Sequence, residues 1–246
     1  MHADTYGLGY SAPAIAFMAE RNAETHAGFF VSQLRPGWHV LDAGCGPGTI
    51  TLGLAHLVQP GQVTGIDVED SQFSSARERA ELEELNVKFQ AASVYELPFE
   101  DGSFDAVFSH ALLEHLSDPG AALVELRRVL KLGGLIGVRA GDLGGTLIDA
   151  ASDGPAQAFA AYLASQINDS KDPHVGRKLG RLLRRAGFEV QKMTACYEVI
   201  TETILKVGPS LARSFAAPSY CSLKGKDDDQ SLFVALAWCE AIGRAQ

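Results

Sequence analysis

Little in the sequence would staple or anchor the fold from outside. Only four cysteines occur among 246 residues: Cys45, Cys196, Cys221 and Cys239. They are scattered, with no C-x-x-C pair and no histidines at ligand spacing, so neither a metal site nor a disulfide framework is expected. This usage fits a reducing compartment. No apolar run approaches the roughly 20 residues that cross a bilayer, so no membrane span is expected. The opening Met-His-Ala-Asp-Thr-Tyr has no basic segment leading into an apolar one. No signal peptide is expected, and the expected location is the cytoplasm. Basic charge is also in deficit: 21 Lys and Arg stand against 30 Asp and Glu, a net charge of −9. No nucleic-acid partner is expected of such a chain. Its one dense basic stretch, Arg177-Lys178 with Arg181, Arg184 and Arg185, has the spacing of an exposed helix face. There are no internal repeats and no low-complexity tracts.

What is present is a regular alternation of strands and helices. The length suits one large domain, or one domain with a lid. The segment 14–34 reads as one or two helices, broken by Arg35-Pro36-Gly37. Strands are predicted over 39–43, 62–66, 87–91, 104–109 and 135–139, and helices over 49–58, 71–85 and 121–130. Gln59-Pro60-Gly61 and Gly133-Gly134 supply the stops. This pattern means an α/β fold with a mostly parallel sheet and right-handed crossovers. After Gly141 the pattern changes. Helices are expected over 156–167 and 174–186, strands over 188–201 and 231–238, and a short helix plus loop over 206–226. The expected organisation is a helical cap over 1–35, a Rossmann-like core over 36–142, a helical lid and substrate segment over 143–187, and closing strands over 188–246.

The most ordered stretch is "VLDAGCGPG", Val40 to Gly48. A strand ending near Asp42, followed by Gly44, Gly46 and Gly48, puts a tight turn at the carboxyl edge of the sheet, where open α/β folds bind ligands. Glycine lets backbone approach a ligand closely. The spacing is G-x-G-x-G, not the G-x-G-x-x-G of a dinucleotide site, and no Gly-Lys-Ser/Thr of a P-loop follows. An acid before the turn suits a cationic amine better than a phosphate. The second strand ends "VTGIDVED", which places Asp67 where an acid accepts hydrogen bonds from ribose hydroxyls. The ligand should therefore carry a ribose without a pyrophosphate in the turn.

These residues resemble the class I S-adenosylmethionine-dependent methyltransferases, in the group that methylates quinones, sterols and small metabolites. The matching pieces are "VLDAGCGPG", "VTGIDVED", "ASVYELPFEDGSFDAVFSHALLEHL" and "LRRVLKLGGLIGV", which cover roughly residues 36–140. The resemblance implies a doubly wound, Rossmann-like, seven-stranded sheet whose last strand is antiparallel and lies next to the fifth. It implies S-adenosyl-L-methionine as cofactor. Asp42 and the backbone of Gly44, Cys45 and Gly46 would hold its methionine end, with the Cys45 thiol a small buried group. Asp67 would hold the ribose, Val68 would pack on the adenine, and Ser93 and Val94 would meet the adenine edge. Many relatives carry Asp where Ser93 stands, so the adenine N6 contact here would be weaker or shifted to backbone. His110 would lie beside the sulfonium.

Methyl transfer is a displacement that needs alignment, exclusion of water and sometimes removal of a proton. His110 and His115 are the candidate catalytic bases, because histidine titrates in the useful range; packing or capping is the competing role for His115. His174 is expected at a helix N-terminus. Tyr6, Tyr10 and Arg21, in the cap, would close on the methionine end, where a tyrosine ring near a sulfonium gains cation–π energy. The expected substrate is a small apolar or aromatic metabolite. The alternatives are a non-methylating enzyme of the same fold, performing a rearrangement or cyclisation, and a regulatory binding module. Oligomeric state stays open.

Overall fold

The computed structural model describes residues 12–149, 153–200 and 233–246. The expectations for Tyr6, Tyr10 and the segment 206–226 lie outside those residues. In chain order, the cap holds α1 (Ala12–Ala19), α2 (Ala23–His26) and α3 (Gly28–Val31). The core follows with β1 (His39–Ala43), α4 (Thr49–Val58), β2 (Gln62–Asp67), α5 (Phe73–Leu82), β3 (Val87–Ala91), β4 (Phe104–His110), α6 (Pro119–Val129) and β5 (Leu130–Gly141). Then come β6 (Leu147–Asp149), α7 (Gly154–Asn168), α8 (Val175–Arg185), β7 (Phe188–Ile200) and β8 (Phe233–Ala245).

The sheet runs β3-β2-β1-β4-β5-β8. The first five strands are mutually parallel, and β8 is antiparallel to β5, to β7 and to the short β6. This is the expected doubly wound sheet with one antiparallel strand beside the fifth. The three-residue β6, which prolongs the β5 edge of β8, is an addition that the pattern did not suggest. Strand order reverses between β1 and β4, which opens a crevice at their carboxyl ends.

Local chemistry explains where the elements begin and end. The cap is three short helices because the Asn22 side chain accepts from Thr25 N–H at 3.0 Å and starts a new helix, as an N-cap does. Helix α6 begins at Pro119, two residues before the predicted start. Asp118 caps it by accepting from Ala121 N–H at 2.9 Å, and proline suits the first helical position. Helix α5 is preceded by a 3-10 turn over Asp70–Gln72, so its first residues are wound more tightly than predicted. Strand β8 runs on to Ala245, seven residues past the predicted end. It is paired on both edges, and Glu240 finds partners in Thr194 at 2.8 Å and Arg139 at 3.5 Å. Tertiary pairing thus holds a polar residue in mid-sheet against its local preference.

Two apolar clusters sandwich the sheet. One joins Leu41, Val107, Ile136, Val138 and α6 residues such as Leu126 to Val175, Leu179 and Leu183 of α8. Helix α8 is therefore part of the main core, although it falls inside the segment expected as lid; α7 is largely exposed. The other cluster joins Val40, Ala106 and Phe108 to Leu54 of α4 and Phe30 of α3. Phe30 closes on the sheet over Gly137, where an added Cβ would lie 2.4 Å from the ring. Gly137→Ala is therefore expected to destabilise the protein by about 1–3 kcal/mol through overpacking. Denaturant unfolding measures this, and an unchanged midpoint would show that Phe30 has room to move.

Candidate functional site

The crevice holds a cavity of about 730 Å³. Its floor is the glycine turn. Gly44, Gly46 and Gly48 all have positive φ, at 76°, 51° and 77°. The two-residue glycine rhythm is thus a requirement of the backbone, since left-handed residues strongly favour glycine. Space is also needed: a Cβ on Gly48 would lie 2.7 Å from the Phe89 ring.

The amides of this turn are already occupied. Gly44 and Cys45 N–H both donate to Ile66 O at 2.9 Å, and Gly48 N–H donates to Cys45 O at 3.0 Å. Gly46 N–H donates to Asp67 Oδ2 at 2.9 Å. A phosphate nest needs free, convergent amides, and this turn does not offer them. The same fact narrows how Gly44, Cys45 and Gly46 could meet a ligand. Their N–H groups are committed inside the protein, so what they present to a ligand is carbonyls and close approach.

Asp42 lies at the cavity floor, 2% exposed. Its Oδ2 accepts from Thr51 Oγ1 at 2.6 Å. Burial raises its pKa to about 7, against the lowering effect of the Thr51 bond, and the charge of Asp67 adds to the rise. Asp67, at the end of β2, accepts Gly46 N–H on one oxygen and Glu69 N–H at 3.2 Å on the other. Burial raises its pKa too, while those backbone donors oppose the rise. The cavity is therefore built around two desolvated acids, a setting that favours a cation and hydroxyl donors.

Val68, Ser93 and Val94 line the same cavity. Val68 is 61% exposed and Val94 is buried, so both present apolar surface to it. The Ser93 hydroxyl accepts from Tyr95 N–H at 3.3 Å and so helps to form a turn. The Cys45 thiol is buried beside Gly65, and burial pushes its pKa well up, as suits an inert packing group.

His110 and His115 both line the cavity. His110 is 5% exposed, with its ring centroid 5.1 Å from His26 and 5.0 Å from Trp238. Burial, then the charges of Arg21 and Arg139, hold its pKa well below the usual histidine value, while a hydrogen bond with the Arg139 backbone works to raise it. For His115 burial pushes the pKa down to about 3, with Lys171 and Arg21 contributing. Both are neutral imidazoles at neutral pH. Arg21 reaches the cavity from the turn after α1, and its guanidinium lies 5.5 Å from the Phe17 ring centroid. His174 caps α8 by position but makes no side-chain cap bond, and its Nδ1 lies 3.6 Å from Asp142.

The structure adds residues that the sequence pattern did not single out. Thr51 is the partner of Asp42, one turn into the helix that follows the glycines. Met18 and Gln72 also line the cavity. Gln72 follows Asp67 by five residues, and no motif marked it. Among the described residues no group of three His, Cys, Asp or Glu side chains has metal-site geometry, and no helix is long and apolar enough to cross a membrane.

Residues 41–138 match the family model described as "Methyltransferase domain". An uncharacterized methyltransferase of Schizosaccharomyces pombe is 38% identical over 154 residues, which cover 58% of this chain and 55% of that protein. An O-methyltransferase of Penicillium expansum is 34% identical over 167 residues, covering 67% and 56% respectively. The chain spans about half the length of the curated relatives it matches. A putative methyltransferase from Bacillus halodurans shares the fold, with a TM-score of 0.65 at 18% identity over 90% of this chain and 99% of that one.

The raised pKa of Asp42 has a consequence for stability. Its folded pKa lies above the unfolded value of 3.8, so its contribution is present in full below that value and is lost as pH rises through about 7. The depressed histidines act in the opposite sense, losing stability as pH falls below their ordinary 6.5. Comparison with Asp42→Asn isolates the first effect. The stability difference between the variant and the ligand-free wild type should shift in favour of the variant between pH 4 and pH 7. Thermal unfolding across that range measures it, and a pH-independent difference would exclude a buried, protonated Asp42.

Proposed function

We propose that this chain, a member of the class I S-adenosylmethionine-dependent methyltransferase family, transfers a methyl group from S-adenosyl-L-methionine to a small apolar or aromatic metabolite. The observation that carries the reading is the pairing of the buried Asp42 and the half-buried Asp67, neither matched by a cationic side chain among the described residues, across a glycine turn whose amides are filled. Asp42 awaits a cation. Asp67 has lone pairs left for hydroxyl donors after its backbone bonds. Val68 and Val94 offer an apolar slot for a base. The cofactor matches each of these in turn, as ammonium and sulfonium, ribose and adenine. Ser93, at the mouth of that slot, would contribute backbone, because its hydroxyl already serves a turn.

When bound, S-adenosylmethionine supplies an electrophilic methyl on a cationic sulfur. The chain's part is to bind, align and exclude water. Asp42 would ionise on meeting the cation, which neutralises an otherwise costly buried charge. Arg21 would draw the cofactor's carboxylate under the cap, and Tyr10 would close from the segment before it. His110, at the cavity wall, would orient an acceptor hydroxyl and hold its proton. His115, with a pKa of about 3, is the weaker base and lines the acceptor end. The apolar walls from Met18, Ala111, Leu112 and Leu116 support an apolar or aromatic acceptor. The Penicillium O-methyltransferase relative supports oxygen as the accepting atom.

Calorimetry with S-adenosylmethionine and S-adenosylhomocysteine tests the cofactor. The wild type should bind both, and Asp67→Ala should lose about a hundredfold or more in affinity, as expected when bonds to a buried charged group are removed. Failure of the wild type to bind either ligand would sink the reading. Because burial raises the Asp42 pKa to about 7 in the free protein, S-adenosylmethionine binding near that pH should release protons from it. Calorimetry in buffers of different ionisation enthalpy reads this directly, and Asp42→Asn should abolish the release. A screen of phenolic and enolic metabolites with labelled methyl donor tests the reaction itself. His110→Ala should lower kcat by about 10²–10⁴ if it serves as base. Tight cofactor binding with no methylated product, but with chemical conversion of an acceptor, would favour the non-methylating alternative.

A further inference from the structure

We infer that Gln72 is a specificity residue for the α-amino acid end of the cofactor, a role that rests on the S-adenosylmethionine reading above. Gln72 ends the 3-10 turn after β2 and is 5% exposed. It lines the cavity, and neither its Oε1 nor its Nε2 has a hydrogen-bond partner. A primary amide holds one acceptor and two donors, and leaving both kinds unmet in a buried place is costly. Buried amides are otherwise almost always satisfied. A ligand that brings a donor and an acceptor to the same spot would remove that cost.

The position of the amide selects which part of the ligand does so. A Cβ built on Gly46 would lie 3.8 Å from Gln72 Oε1 and 3.8 Å from Met18 Sδ. The amide therefore sits where the glycine turn faces the cap. Arg21 enters the cavity from the same stretch of cap, its N–H bonded to Met18 O at 3.2 Å. The ribose already has Asp67, and the base has the apolar slot of Val68 and Val94. The group left to be read beside the turn and the cap is the zwitterionic amino acid. Its carboxylate accepts from Nε2, and its ammonium donates to Oε1. Gln72 is neutral, so it recognises the zwitterion without adding a third charge beside Asp42 and Asp67.

The test compares two ligands that differ in that group. S-adenosylhomocysteine carries the amino acid, whereas methylthioadenosine keeps the adenosine and the thioether but lacks it. Gln72→Met preserves side-chain volume and removes the amide. In calorimetry this variant should bind S-adenosylhomocysteine about tenfold or more weakly than the wild type, and methylthioadenosine within about twofold. Gln72→Glu, which keeps the shape but repels a carboxylate, should show the same selective loss to a larger degree. An unfolding temperature close to the wild-type value confirms that the variants fold. Unchanged affinity for S-adenosylhomocysteine, or an equal loss for both ligands, overturns the role of Gln72. Wild type that binds neither ligand overturns the cofactor reading itself, and the inference with it.

Discussion

The hydrogen bond from Gly46 N–H to Asp67 ties the turn after β1 to the end of β2. With the two amides that reach Ile66 O, it folds the loop back onto the neighbouring strand and fixes the floor of the cavity. Three left-handed glycines make that path possible. The same bond orients the Asp67 carboxylate, so one contact shapes the floor and aims the acid that faces the ligand. Such preorganisation, set by backbone rather than by flexible side chains, is what a binding site needs to hold its partners within fractions of an ångström.

The electrostatics of the cavity follow from burial. Asp42 and Asp67 are desolvated with only hydrogen-bond donors for company, and no lysine or arginine pairs with them among the described residues. Arg21 and Arg139 act on the His110 side, where they hold the imidazole neutral. Acid gathers where a cation would bind, and cationic side chains gather on the His110 side. Arg139 is itself 4% exposed, stacked 4.4 Å from Trp238 and paired with Glu198 at 3.0 Å, so the deep end of β5 is a polar layer inside the sheet. In that layer charges pair across strands, at positions that read from the sequence as ordinary strand residues.

Much of the site was legible because its requirements are local. The turn at Gly44, Gly46 and Gly48 and the acids at Asp42 and Asp67 lie within a short span of chain, at strand ends. Thr49–Val58 and His39–Ala43 fall where their periodicity puts them, since helix and strand alike are bounded by glycine and proline. Gln72 was not legible. It is polar text in a polar stretch, and only the fold reveals that its amide is buried without partners. The longer β8 was missed for a related reason: its second half contains Glu240, Gly243 and Arg244, which look like chain end until β5 and β7 flank them.

The sequence by itself determined the parallel α/β core, the tight glycine turn and the acids on either side of it, because each depends on local pattern and on backbone conformations that few residues adopt. Only the tertiary structure decided how those groups are charged and what they can hold. The turn's amides are filled by Ile66 O and Asp67, residues some twenty positions away. The pKa of Asp42 and the neutrality of His110 follow from burial within the fold. Solvation and hydrogen-bond satisfaction are properties of the packed whole, so no local pattern carries them.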